Sequence, residues 1–246
     1  MEQQIHIGTS GWHYKHWMGT FYPPDVKQKG FTDYYTRFFR SVEINNSFYK
    51  LPSAETFANW RASVPDDFLF AVKASRYITH MKKLKDPQES IARFFNNANA
   101  LEEKLGPILF QLPPGWSVNI DRLRDFLTLL PPYYKYTFEF RHHSWYAPEV
   151  LDLLRNFNVA FCIYELEWHN SPKEVTADFV YVRLHGPEGK YSGSYHDDAL
   201  QYWAWQCLEW KSQGLQVYIY FDNDQLGYAA FNAMRLQEIV RERQQA

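Results

Sequence analysis

Cysteine is nearly absent from this chain of 246 residues: it has only Cys162 and Cys207, far apart in sequence. Two such cysteines give neither the paired spacing of a zinc site nor a disulfide framework. Charge of one sign is lacking too. The formal net charge of -2 excludes a protein that coats nucleic acid through bulk charge, although a local basic patch stays open. No apolar run is long enough to span a bilayer. The start, Met1-Glu2-Gln3-Gln4, has neither the basic beginning nor the apolar stretch of a secretory leader, so cytoplasmic location is the default expectation and no membrane partner is expected. G-x-G-x-x-G, G-x-x-x-x-G-K and a nucleophile elbow are all missing, which leaves any cofactor unassigned. Metal-ligand spacings of the H-x-H or H-E-x-x-H kind are missing as well, so no metal ligand is proposed.

Aromatic residues are abundant, at 19% of the chain with 9 tryptophans. Most rings belong to a core, but those in loops are available to stack on sugars, bases or a partner. Hydrophobic periodicity then divides the chain. Strand patterns begin at Ile5, Ser41, Phe68, Pro107, Tyr136, Val159, Phe179 and Gln216. Helical patterns alternate with them: Ser53 is a cap for one, and Asp86, Pro87 and Glu89 form the start signal of another. After the sixth strand only a polar connection with Trp168, His169 and Pro172 is legible. With no linker and no shift in composition, residues 1–246 read as one α/β domain, a (β/α)8 TIM-type barrel whose sixth helix is short or missing. A doubly wound open sheet accounts for fewer strands.

Tyr136–Trp145 shows where chemistry is placed. Phe138 and Phe140 share one face, and Thr137, Glu139 and Arg141 share the other. A carboxylate and a guanidinium facing inward at a strand end mark either a structural ion pair or a site. The same rule applied to every strand turns His6, Gly8, Glu43, Asn45, Lys73, Gln111, Glu139, Arg141, Arg183 and His185 inward. Parity is ambiguous at the sixth and eighth strands, so Glu165, Asp222 and Asn223 are weaker candidates. Eight of the nine histidines lie at strand ends or in the loops that follow, which favours one working face. The loop Arg76–Lys85 is a basic cluster with aromatic and hydroxyl neighbours, suited to phosphate.

Five ordered motifs, Gly8-Thr9-Ser10-Gly11-Trp12, Glu43-Ile44-Asn45-Asn46-Ser47-Phe48-Tyr49, Phe110-Gln111-Leu112-Pro113-Pro114, Glu139-Phe140-Arg141-His142-His143-Ser144-Trp145 and Arg183-Leu184-His185-Gly186, resemble the YecE-like family, catalogued as domain of unknown function seventy-two. The resemblance spans essentially the whole chain and implies a TIM-type barrel. It implies no reaction. Where it leads to an asparagine pair after the last strand, this chain has Asp222-Asn223.

The residues are read as a hydrolase site for a phosphate- or sugar-containing small molecule. Glu43 or Glu139 would be the general base, His185 the acid, and Lys73, Arg141 and Arg183 the anion stabilisers. Trp12, Asn45, Gln111, Trp145 and Asn223 would contact substrate, and Trp168 is a further ring for sugar stacking. A glycosidase pair, Glu43 and Glu139, is the sugar version of this reading. The alternatives are a non-catalytic anion-binding module and a metal-assisted phosphodiesterase; nucleic acid as partner is weakly supported.

Overall fold

The computed structural model describes residues 5–166 and 169–245. Met1–Gln4 and Trp168, on which the leader and one stacking expectation rested, lie outside the described residues. The strands are β1 (Ile5–Thr9), β2 (Ser41–Ile44), β3 (Leu69–Lys73), β4 (Leu105–Gln111), β5 (Tyr136–Glu139), β6 (Ala160–Leu166), the two-residue β7 (His169–Asn170), β8 (Phe179–Leu184) and β9 (Gln216–Phe221). The helices are α1 (Phe31–Tyr35), α2 (Asn46–Tyr49), α3 (Ala54–Ala62), α4 (Gln88–Ala98), α5 (Ile120–Thr128), α6 (Pro148–Asn156), α7 (Asp197–Ser212) and α8 (Tyr228–Gln245). Hydrogen-bonded order along the sheet is β1-β9-β8-β6-β5-β4-β3-β2, with β7 antiparallel on β6. This is the eight-stranded, nearly closed parallel barrel of the TIM class. Among the described residues between β6 and β8 the chain carries β7 and no helix, as the polar connection there anticipates.

Contacts divide the chain into two compact units. The first comprises residues 1–43, 163–171 and 178–246, the second residues 44–162 and 172–177. In the first unit β9 lies between β1 and β8 in unbroken parallel register, Ile5 beside Val217 and Val180 beside Val217. An isolated bridge joins Ser10 to Glu43, and Gly11 N–H donates to the Glu43 carbonyl at 2.8 Å. The apolar stripe of α7, Leu200, Trp203, Cys207 and Trp210, is buried, as is that of α8, Ala229, Ala233, Leu236 and Val240.

In the second unit β4 pairs in parallel with β3 and β5, and Gln111 lies beside Glu139 in register. Helix α3 begins as expected, with Ser53 Oγ accepting from Thr56 N–H at 3.2 Å. Asn119 does the same for α5, accepting from Arg122 N–H at 3.0 Å. Helix α4 buries Ile91, Phe94, Phe95 and Ala98, the i, i+3, i+4, i+7 stripe of an amphipathic helix. Its start differs from the sequence reading. Pro87 occupies the cap position and Asp86 sits at φ 43°, in the left-handed region, because Lys83, Leu84 and Asp86 together make a tight turn that buries Leu84. The second strand is also shorter than its pattern suggests. Asn45 turns into α2, held by Ser47, whose hydroxyl donates to the Ile44 and Lys73 carbonyls at 3.1 and 2.6 Å.

Gly8 in β1 is required by space rather than by dihedral angle, since a Cβ there would strike the Ser41 carbonyl oxygen. Gly8→Ala is expected to lower stability by about 1–3 kcal/mol or more in chemical denaturation, because backbone cannot yield as a side chain does.

Candidate functional site

The predicted residues gather into two clusters, one in each unit. In the first unit Arg183, on β8, is completely buried. Its Nε donates to Glu43 Oε2 at 3.0 Å, and Nη2 donates to Glu43 Oε1 at 2.9 Å, to Asp222 Oδ2 at 2.8 Å and to Ser10 Oγ at 3.1 Å. Nη1 lies 2.8 Å from His185 Nε2. Glu43, also fully buried, accepts in addition from Ser10 Oγ and from Tyr181 Oη, the latter at 2.6 Å. Burial and the nearby carboxylate Glu43 push the Tyr181 hydroxyl well above its ordinary range, so it stays protonated and donates. Burial, with Asp222 and Asp224 behind it, does the same to Tyr14, whose hydroxyl donates to the Ser10 carbonyl at 2.6 Å.

His185 Nε2 faces two groups, Arg183 Nη1 at 2.8 Å, which only donates, and Asp222 Oδ2 at 3.5 Å, while Nδ1 is 2.9 Å from the Glu165 carbonyl oxygen. The shorter contact has Nε2 accepting, a geometry that suits a group orienting Arg183 better than the general acid expected. Arg183 is likewise committed to protein acceptors, which weakens its assignment as an anion stabiliser.

In the second unit Glu139, fully buried at the end of β5, accepts on Oε1 from Gln111 Nε2 at 2.6 Å and from Arg141 Nε. Its Oε2 faces Cys162 Sγ at 3.9 Å. Lys73, buried at the end of β3, holds its ammonium 4.4 Å from the centre of the Phe48 ring, a cation–π contact. The Phe48 ring in turn meets His80 edge-on at 5.0 Å. His80 lies in a π-helical turn, Tyr77–Met81, and its Nδ1 is 2.9 Å from the buried Thr79 hydroxyl. Irregular helical turns of this kind are frequent at functional sites. Burial, and then the positive charges of Lys73, Arg76 and Arg141, depress the His80 pKa to about 4. Glu139 opposes them.

The tryptophans take different roles from those expected. Trp145 is wholly buried, stacked on Phe140 at 5.0 Å, and donates to the Trp116 carbonyl at 2.7 Å. Trp12 is 5% exposed and donates to Thr32 Oγ1. Both rings are core, which removes them as stacking surfaces; bulky aromatics next to a polar loop are filled in by neighbouring loops that periodicity does not place. Asn45 is half-buried at the start of α2. Asn223 is buried, donating to the Gly193 carbonyl and to Asn232 Oδ1 at 2.8 and 2.9 Å.

Ser10, Tyr181 and His80 were missed as members of these clusters. Tyr181 shares the face of Arg183 two residues away, a period-two signal that was available. Ser10 and His80 stand in singled-out segments, but nothing local distinguishes them. Among the described residues no group of three or more His, Cys, Asp and Glu is placed to hold a metal ion. No described helix is long and apolar enough to cross a membrane.

The family model for "Protein of unknown function DUF72" matches residues 6–246. The chain belongs to the DUF72 family. A DUF72 protein of Thermotoga maritima has a crystal structure similar to this one, with a TM-score of 0.85 at 29% identity, covering 97% of this chain and 100% of that one. Among curated proteins, the UPF0759 protein YunF of Bacillus subtilis is 26% identical over 96% of this chain and 94% of its own length. The UPF0759 protein YecE of Escherichia coli K12 is 30% identical over 58% of this chain and 50% of its own length, so that match spans half of the relative. None of these names carries an activity, and the chemistry of this DUF72 protein rests on its own residues.

Two outcomes test the two clusters. Arg183→Met removes the counter-charge from buried carboxylates and should destabilise the protein by about 3–5 kcal/mol in denaturant titration. His80 should titrate near 4 when its ring protons are followed by NMR. Because the unfolded chain takes up that proton near the ordinary value of 6.5, His80 costs nothing above pH 6.5. It lowers stability progressively as pH falls from there to about 4.

Proposed function

We propose that this DUF72 protein is a hydrolase of a small phosphate-bearing molecule, working at the ends of β3 and β5. The observation that carries the reading is the grouping of Lys73, Glu139 and Arg141 at these strand ends, with Glu139 bonded to Arg141 and the charges of Lys73, Arg76 and Arg141 all acting on His80. A guanidinium and an ammonium are the side chains suited to the oxygens of a phosphate group. Gln111 and Arg141 hold Glu139 in place. As an acceptor-only carboxylate, Glu139 removes a proton from water as the water oxygen attacks phosphorus. The ester P–O bond breaks toward the alcohol oxygen, which receives that proton. Lys73 and Arg141 stabilise the charge on the phosphoryl oxygens.

The glycosidase form of the hypothesis has less support. It needs a protonated carboxyl as acid and tryptophans as sugar platforms. Trp12 and Trp145 are buried, and Glu139 is bonded to two donors that complement a carboxylate. A second reading, anion binding without turnover, is favoured by that same bonding of Glu139, which serves a purely structural ion pair equally well.

A panel of phosphomonoesters and phosphodiesters, assayed for alcohol and phosphate release with wild type and Glu139→Gln, separates these readings. Hydrolysis predicts turnover of at least one ester class, and a tenfold or greater loss in the variant, about 1.4 kcal/mol, with unfolding temperature nearly unchanged. Phosphate binding without turnover supports the binding module. A destabilised variant with full phosphate affinity assigns Glu139 to structure alone and removes the hydrolase reading.

A further inference from the structure

A second concavity, not involved in the reading above, lies in the same unit. It encloses about 550 Å³ between the end of α2, the loop after β3 and the first turns of α4, a volume in the range of small-molecule sites. Its floor is apolar, made by Leu51, Ile78 and Phe94. Two tyrosines with exposed rings line it, Tyr49 at 73% and Tyr77 at 45%. Two exposed rings at one cavity offer faces on which a ligand ring can stack.

Three cations, Lys50, Lys82 and Arg93, line the same cavity. Among the described residues none of the three has a carboxylate within ion-pair distance, in contrast to Arg61, Arg124, Arg155 and Arg235, which all do. The ammonium of Lys82 lies 5.9 Å from the Tyr77 ring centre, which brings positive charge to the edge of the stacking surface. Asp86 and Glu89, also at the cavity and without ion pairs among the described residues, are acceptors for hydroxyl groups.

We propose that this cavity is a binding site for a phosphorylated, hydroxyl-bearing ring. The ring stacks on Tyr49 and Tyr77, its hydroxyls donate to Asp86 and Glu89, and its phosphate is held by Arg93 with Lys50 and Lys82. Nucleoside monophosphates and sugar phosphates share this chemistry. The site does not depend on the hydrolase reading, since Lys73, Glu139 and Arg141 are not part of its lining.

The test is titration calorimetry on the full chain with adenosine 5′-monophosphate, glucose 6-phosphate, adenosine and inorganic phosphate. At least one of the two phosphorylated rings should bind tenfold or more tightly than adenosine and than phosphate alone. Whichever of the two binds more tightly names the source. The double variant Tyr49→Ala/Tyr77→Ala, at exposed positions where folding is not at risk, should lose tenfold or more in affinity for it. Arg93→Gln should reduce it to the level of the unphosphorylated ring, whereas Arg141→Gln should leave it unchanged. Equal binding of phosphate alone, indifference to the tyrosine pair, or loss with Arg141→Gln in place of Arg93→Gln would overturn the assignment.

Discussion

A guanidinium with no exposure to solvent is the constraint to which the first unit is built. Burying Arg183 is costly unless nearly every N–H finds an acceptor. The acceptors come from separate parts of the chain: Ser10 just after β1, Glu43 on β2, His185 just after β8 and Asp222 just after β9. Each must arrive at its distance for the others to be satisfied, so the network fixes where these strand ends stand. The Ser10–Glu43 bridge and the Gly8 contact with Ser41 permit that approach by letting β1 come close to β2. Two hydroxyl donors, Tyr181 and Ser10, are also directed at Glu43.

In the second unit Glu139 takes Arg141 and Gln111, and the charges of Lys73, Arg76 and Arg141 act on His80. The guanidinium of Arg183 is bonded to four side chains of the protein, which stabilises structure and leaves few donors for a ligand. A likeness to DUF72 and UPF0759 relatives carries the fold without the chemistry, because a fold does not specify which side chains meet a ligand.

Much of the architecture was legible because it depends on local pattern. Period-two runs marked the eight parallel strands, helical patterns alternated with them, and Ser53 announced the start of α3. The polar stretch after β6 likewise agrees with the lack of a helix there among the described residues. Legibility failed where a segment's conformation is set by a distant partner. Ser41–Tyr49 carries a strand pattern throughout, yet Ser47 bonds to the Lys73 carbonyl and turns its second half into α2. Asp86 has the composition of a helix cap, but burial of Leu84 in the preceding turn draws it into a left-handed conformation instead.

For the candidate site, alternation along the strands determined which side chains share the polar face: Glu43, Lys73, Gln111, Glu139, Arg141, Arg183 and His185 all follow from parity. What parity cannot supply is the partner. Whether a charge is spent on the protein or left for a ligand depends on distances between strand ends far apart in the chain. So Arg183 and Arg141 look equivalent in sequence and differ in the fold, one enclosed by Glu43, Asp222, Ser10 and His185, the other bonded to Glu139. The partners of His185 and the burial of Trp145 were likewise decided by tertiary structure, because each is set by atoms that converge only when the chain has folded.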